Sequence, residues 1–170
     1  MAHSVGKKKL TMTEVEILQP GLFSSIQDQG RKGLMEFGVP KSGAMDSASA
    51  RLANVLLRNP ADAAVLEITQ QGPKMAFLGP TKIAICGGLL EPAINGSLIE
   101  NNKVYNIDEG DLLSFGKRQK GCRAYLAVKN GFQTEKVLGS RSWYDGITRH
   151  ARLKKGMKLQ YKPFEAEEFE

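Results

Sequence analysis

Short apolar or alternating runs recur between turn signals along most of the chain: Val15 to Leu18, Phe23 to Ile26, Ala64 to Thr69, Met75 to Leu78, Lys82 to Cys86, Lys103 to Ile107, Leu112 to Phe115, Arg123 to Val128 and Met157 to Tyr161. A series of this kind predicts an all-β barrel or sandwich. Asn95-Gly96, between Ala93-Ile94 and Leu98-Ile99, predicts a type I′ hairpin, because both residues tolerate positive φ. The clusters Asp108-Glu109-Gly110-Asp111 and Lys129-Asn130-Gly131 mark further turns.

One segment departs from the pattern. From Asp46 through Arg58 the residues Ala48, Leu52, Val55 and Leu56 follow helical spacing, and Asp46 or Ser47 can accept the free N–H groups at the start. Asn59-Pro60 stops this helix, since Pro60 biases Asn59 away from the α region. The helix begins where a polar loop ends, so Ser42 to Asp46 lie at a partially positive terminus that favours an anion or a polarised carbonyl oxygen. Asp46 either occupies that field as the cap or contacts a ligand directly.

The loop itself runs from Ser25 to Asp46 and concentrates polar and backbone-permissive residues. Gly30 and Gly43 allow close backbone approach, and Gln27, Asp28, Arg31, Ser42 and Asp46 supply donors, acceptors and both charge signs. Such a loop is either a ligand site or a turn-rich connection. Asp28 and Arg31 form an internal pair or a substrate clamp. Ser42 reads as a hydrogen-bonding group, because His150 is the one histidine outside the leader and nothing supports a Ser-His-Asp triad. Alternation within Ala64 to Thr69 puts Val65 and Glu67 on one face of a strand and Leu66 and Ile68 on the other, leaving Glu67 as a general base, a substrate anchor or a solvent-facing carboxylate. Arg141, in the polar stretch Ser140-Arg141-Ser142-Trp143-Tyr144, offers a planar fork for an anion or for one of the chain's own acids.

At 170 residues the chain suits one domain, over 13–163, between a leader or expression remnant at 1–12 and an acidic tail at 164–170. Its formal charge of +6 owes part to Lys7, Lys8 and Lys9 and shows no aromatic-interleaved basic stripe, which argues against nucleic acid. Cys86 and Cys122, far apart within apolar runs, read as small buried hydrophobes in a reducing cytoplasm. His3 and His150 lack ligand spacing, so no metal site is expected. No signal peptide and no membrane-length apolar run stand out.

Several ordered motifs carry a family resemblance. They are Gln27-Asp28-x-Gly30-Arg31-x-Gly33, Gly38-Val39-Pro40-x-Ser42-Gly43-Ala44-Met45-Asp46, Leu52-Ala53-Asn54, Asn59-Pro60, Ala64 to Thr69, Gly72-Pro73, Gly121 to Val128 and Leu138 to Ser142. Over about Val15 to Tyr161 the chain resembles the bacterial family called allophanate hydrolase subunit 2, KipA or the C subunit of 5-oxoprolinase, which includes the carboxyltransferase region of urea carboxylases. The resemblance implies a cyclophilin-like barrel, and this chain resembles the N-terminal half of a longer protein. It further implies a component of a multi-subunit enzyme acting on an amide, lactam or urea-like substrate, inactive alone. ATP or carboxybiotin chemistry would come from partners like the A and B subunits of 5-oxoprolinase; no cofactor is expected on this chain alone. A KipA-like regulator binding a KipI-like kinase inhibitor is the alternative. With a second half lacking, exposed apolar surface predicts a homo-oligomer, with Trp143, Tyr144 and Ile147 either as its contacts or packed under their own barrel. On their chemistry Asp28 and Glu67 are the catalytic candidates, and Gln27, Gly30, Arg31, Ser42, Gly43, Asp46 and Arg141 the candidate substrate-binding residues. Leu89 stands where relatives carry Asp, and Asn130 where a glycine is common.

Overall fold

A computed structural model describes residues 11–164; the expected leader and acidic tail lie almost wholly outside them. The expected strands form, most within one or two residues of the predicted runs. β1 (Thr13–Gln19), β2 (Phe23–Gln27), β3 (Val65–Thr69), β4 (Lys74–Phe77), β5 (Thr81–Leu89), β6 (Pro92–Ile94), β7 (Ser97–Leu98), β8 (Val104–Ile107), β9 (Leu112–Phe115), β10 (Lys120–Val128) and β11 (Lys158–Tyr161) pair antiparallel throughout. They make a six-stranded sheet, β11-β1-β4-β9-β6-β7, and a five-stranded sheet, β2-β3-β10-β5-β8. The chain is all-β with one α-helix. Its ladders remain two open sheets, and among the described residues no pairing closes them into a barrel. Closure stops at β2, whose outer edge meets irregular backbone: Trp143 N–H donates to Ile26 O at 2.9 Å and Leu153 N–H to Ser24 O at 2.8 Å.

The period-two pattern builds the core. Val15, Ile17, Met75 and Phe77 from one sheet meet Ile26, Leu66, Ile68, Ile83, Ile85 and Leu126 from the other in one buried cluster. The predicted hairpin is present, with Asn95 at φ 51° and Gly96 at φ 82° joining β6 to β7.

The helix α1 (Ser47–Leu56) lies where expected, but of the expected stripe only Leu56 packs against the sheet. Leu52 and Val55 are exposed, while Ala50, Ala53 and Leu57 pack with Val65, Ala84, Cys86, Tyr125 and Ala127 on the outer face of the five-stranded sheet. Small residues win that face because alanines let the helix backbone approach the sheet closely. The large apolar residues of the helical stripe would hold it away. Past the helix, Asn59 donates to Asn54 Oδ1 at 3.1 Å and to Val128 O at 2.8 Å, anchoring the chain reversal to β10.

One expectation about apolar residues is corrected and one choice between alternatives is decided. Cys86 is buried beneath α1, but Cys122 is exposed, because the pairing register of β10 slips between Lys120 and Ala124 and turns the intervening residues outward. Burial pushes the Cys86 thiol up to about 11. Cys122 is therefore expected to react rapidly with a thiol reagent in the native protein while Cys86 reacts on denaturation; equal native rates would contradict this packing. Of the two places open to Trp143, an oligomer contact or its own core, it takes the core, in one cluster with Leu153, whereas Tyr144 is exposed. Among the described residues no helix is long and apolar enough to cross a membrane, which says nothing of β-barrel insertion.

Candidate functional site

The polar loop folds into a hydrogen-bonded knot. Gly30, at φ +80°, brings its backbone so close to Lys41 and Ser42 that an added Cβ would lie 2.4 Å from Lys41 O. Arg31 N–H bonds Lys41 O at 2.6 Å, and Ala44 N–H bonds Asp28 O at 3.1 Å. Gly43 N–H donates to Gln27 Oε1 at 3.1 Å. Two backbone segments thus lie against each other where only glycine fits.

Asp28 is the centre of the knot. Its buried carboxylate accepts from Gly30 N at 2.8 Å, Ser140 Oγ at 2.5 Å, Ser142 Oγ at 2.8 Å and Arg141 N at 2.7 Å, so both oxygens are engaged. The sequence offered Arg31 a choice between Asp28 and a substrate; the structure gives it other partners. Its buried guanidinium donates to Val137 O at 3.1 Å, Ser42 Oγ at 3.3 Å and Ser142 O at 2.9 Å, with no carboxylate within 4.0 Å among the described residues. Together Asp28 and Arg31 tie the first polar loop to residues 137–142. Arg141 contributes its backbone N–H to this tie, while its guanidinium lies 3.4 Å from Gln133 Oε1.

At the start of α1 the free N–H groups are met from within the chain. Asp46 caps the helix, accepting from Ser49 N at 3.1 Å and Ser49 Oγ at 2.5 Å. Asp46 N–H donates to the Tyr125 hydroxyl at 2.8 Å, and Met45 N–H donates to Glu67 Oε2 at 2.8 Å. The chain's own oxygens thus take the Ser49 N–H in the first turn and the Met45 and Asp46 N–H groups just before it. The bonds from Ser49 hold the Asp46 carboxyl below its ordinary value of 3.8. A depressed folded-state value adds stability that is complete above 3.8 and lost as pH falls through the lower folded value. Asp46→Ala is expected to cost about 1 kcal/mol near neutral pH, with the deficit shrinking in acid below the ordinary carboxylate range. Denaturation midpoints of both proteins across that range check it.

Glu67 stands between this helix start and an open groove. Strand register places Ser25, Glu67, Tyr125 and Cys86 in one row across β2, β3, β10 and β5. The helix covers the Tyr125 and Cys86 end, while Ser25 and Glu67, themselves only 2% and 9% exposed, lie beyond it on the groove side. Tyr125 accepts the Asp46 N–H, so its own proton goes to Glu67 Oε2 at 3.0 Å; burial raises the phenol's pKa and keeps that proton in place. Glu67 Oε2 thus has two donors. Oε1 has none within hydrogen-bonding distance among the described residues, with Arg123 Nε at 3.8 Å. Beside it Ser25 Oγ accepts from Gln27 Nε2 at 2.9 Å, which leaves the serine proton uncommitted. Gln27 is held in turn by Gly43 and by Trp143 O at 3.4 Å.

Ser25, Gln27 and Glu67 form one wall of a groove of about 830 Å³. The rest of the lining comes mainly from an arch of chain between the core residues Trp143 and Leu153, with Tyr144, Arg149, His150 and Arg152. Of the residues singled out in the sequence, Gln27 and Glu67 meet here; Asp28 and Gly30 line a separate cleft of about 280 Å³. Arg31, Ser42 and Gly43 brace the knot, and Asp46 caps the helix. Sequence reasoning missed Ser25, Tyr125 and the arch. The row from Ser25 to Tyr125 is a property of strand pairing, whereas the basic run from Arg149 to Lys155 is visible in the sequence but reads there as surface charge.

Residues 37–170 match the family model for the carboxyltransferase domain, subdomain A and B. The chain belongs to this carboxyltransferase family. It is similar to urea amidolyase of Lachancea kluyveri, 44% identical over 76% of this chain and 7% of that protein. It is also similar to the C subunit of 5-oxoprolinase from Escherichia coli K12, 31% identical over 75% of this chain and 41% of that one. The crystal structure of Kluyveromyces lactis urea carboxylase superposes with a TM-score of 0.80 at 41% identity, covering 86% of this chain and 13% of that chain. The chain therefore spans well under half the length of these relatives. Within the carboxyltransferase fold, Asn130 sits at φ 67°, a left-handed position that glycine or asparagine can occupy. Leu89, partly exposed, ends β5 opposite Lys120.

Proposed function

We propose that this carboxyltransferase chain is one component of a multi-subunit or multidomain enzyme acting on an amide, lactam or urea-like N–C=O group, and that the groove at Ser25 and Glu67 holds that group. The observation that carries the reading is the adjacency, on neighbouring strands, of a hydroxyl proton on Ser25 and a Glu67 oxygen that accepts no hydrogen bond among the described residues and faces Arg123 Nε at 3.8 Å. An amide edge presents the complement, with its N–H toward Glu67 Oε1 and its carbonyl oxygen toward the Ser25 hydroxyl. Glu67 accepts the nitrogen's proton as that nitrogen becomes nucleophilic, and Ser25 stabilises charge gathering on the oxygen. The names of the relatives, an amidolyase, a urea carboxylase and a component of 5-oxoprolinase, support an N–C=O substrate. Asp28 serves here as a positioning residue, since its oxygens are already engaged. Partner subunits or fused domains supply the ATP- or carboxybiotin-dependent activation, and the chain alone turns nothing over.

Reconstitution with partners of the 5-oxoprolinase A and B type, or with the remaining urea carboxylase domains, tests this. Turnover is expected to require this chain, and Ser25→Ala is expected to lower kcat by about 100-fold with assembly intact. Unchanged kcat would remove Ser25 from the site.

A further inference from the structure

We propose that Arg123 is a positioning residue for Glu67: its guanidinium holds the Glu67 side chain as a carboxylate while leaving Oε1 open to a ligand. This rests on the groove reading above and adds to it a residue from outside the groove's lining. Strand pairing sets the arrangement. Arg123 and Tyr125, two apart on β10, point to the face that carries Glu67, so the phenol stands directly opposite that carboxylate and the guanidinium diagonal to it. The phenol bonds Oε2 at 3.0 Å, and Arg123 Nε lies 3.8 Å from Oε1. That distance is too long for a hydrogen bond and short enough for charge to act. The cation therefore biases Oε1 without occupying it.

Arg123 is aimed by a built irregularity. The register of β10 against β5 slips between Lys120 and Ala124, and Gly88 alone stands opposite the slip. A Cβ at Gly87 would lie 2.8 Å from Arg123 O and one at Gly88 2.9 Å, so the two glycines admit the displaced backbone. On the other side Gln70 N–H donates to Cys122 O at 2.8 Å, and Arg123 keeps its pairing with Thr69. A bulge of this kind re-aims the side chain it carries. Here it leaves Arg123 Nε buried with no acceptor among the described residues, although 35% of the side chain is exposed. A buried donor without a partner costs stability, and a role at Glu67 accounts for keeping it.

The other ionisable groups near Glu67 are Tyr125, with Asp46 behind it, and around the groove Asp145, Arg149, His150, Arg152 and Lys154. All of them stay in place when Arg123 is altered. The test is carboxyl-¹³C glutamate NMR of the full chain, without ligand, as pH is varied. A neutral amide in place of the guanidinium disfavours the carboxylate, so in Arg123→Gln the Glu67 titration midpoint is expected to rise by about one pH unit above wild type. Arg123→Lys keeps the charge and is expected to return most of the way. Lys74→Gln removes a cation from the other sheet and is expected to change nothing. In the wild-type chain the Arg123 Nε–H resonance is expected to move with the same midpoint as Glu67 and to lose that response in Glu67→Gln, a readout that needs no Arg123 variant to fold. An unchanged midpoint in Arg123→Gln, an equal rise in Arg123→Lys, or an Nε–H resonance blind to Glu67 would overturn this role for Arg123. With no ligand present these results stand apart from the groove reading, which fails instead if Glu67→Gln turns over like wild type in the assembled enzyme.

Discussion

Asp28→Ala is expected to lower stability by about 3–5 kcal/mol, the range for removing one member of a buried charged network. The carboxylate gathers the Gly30 and Arg141 N–H groups and the Ser140 and Ser142 hydroxyls, all drawn from segments more than a hundred residues apart except Gly30. Alanine leaves these donors buried without an acceptor, and desolvating each carries a cost that water cannot repay inside the knot. Asp28→Asn keeps the shape but turns an amide N–H₂ toward the donors, so it is expected to recover only part of the loss. In urea titrations the midpoint should fall with little change in slope. A loss below about 1 kcal/mol for alanine would mean that water enters the knot and that Asp28 is free to serve chemistry instead.

Glu67→Gln is expected to lower turnover of the assembled enzyme by about 10²–10⁴-fold, the span of a lost general base. Both placements of the new amide fail. With its N–H₂ at the Oε2 position it meets the Met45 N–H and the Tyr125 hydroxyl, and at the Oε1 position it meets the ligand's N–H. The fold should survive, since Gln fills the same volume at the groove wall, so assembly with partners separates a catalytic loss from unfolding. Tyr125→Phe removes one of the two donors to Oε2 and is expected to act in the same direction with a smaller loss. Wild-type turnover in Glu67→Gln would leave Glu67 as a cap for the loop before α1 and nothing more.

The strands were legible because the two sheets share one buried face, and alternation such as Val15/Ile17 or Leu66/Ile68 reports that face, even where α1 buries the other side of the five-stranded sheet. The Asn95-Gly96 turn was legible for the same local reason. What failed needed information about neighbours. Leu52 and Val55 look like the buried stripe of α1, but the sheet surface beneath is made of Ala84, Cys86 and Ala127, and closeness selected Ala50 and Ala53. Trp143 looks like a sticky loop residue and is an anchor, because β2 needs its outer edge covered. At the site, the glycines and polar side chains of the loop pack against one another, but they do not converge on one concave surface. Their roles divided along lines that only the fold draws. Asp28 and Arg31 hold the loop, Asp46 holds the helix, and Gln27 and Glu67 reach the groove. Ser25 escaped notice because a serine in a strand carries no signal until its register partner is known to be Glu67.

The central claim is that Glu67 Oε1 receives the N–H of an amide in the groove. It is tested most directly by carboxyl-¹³C glutamate NMR of the full chain during titration with 2-pyrrolidinone, a neutral lactam. The Glu67 resonance, assigned by its disappearance in Glu67→Gln, is expected to shift saturably while the other glutamates stay in place, and to lose that response in Ser25→Ala. A Glu67 signal that remains unmoved throughout the titration would contradict the account.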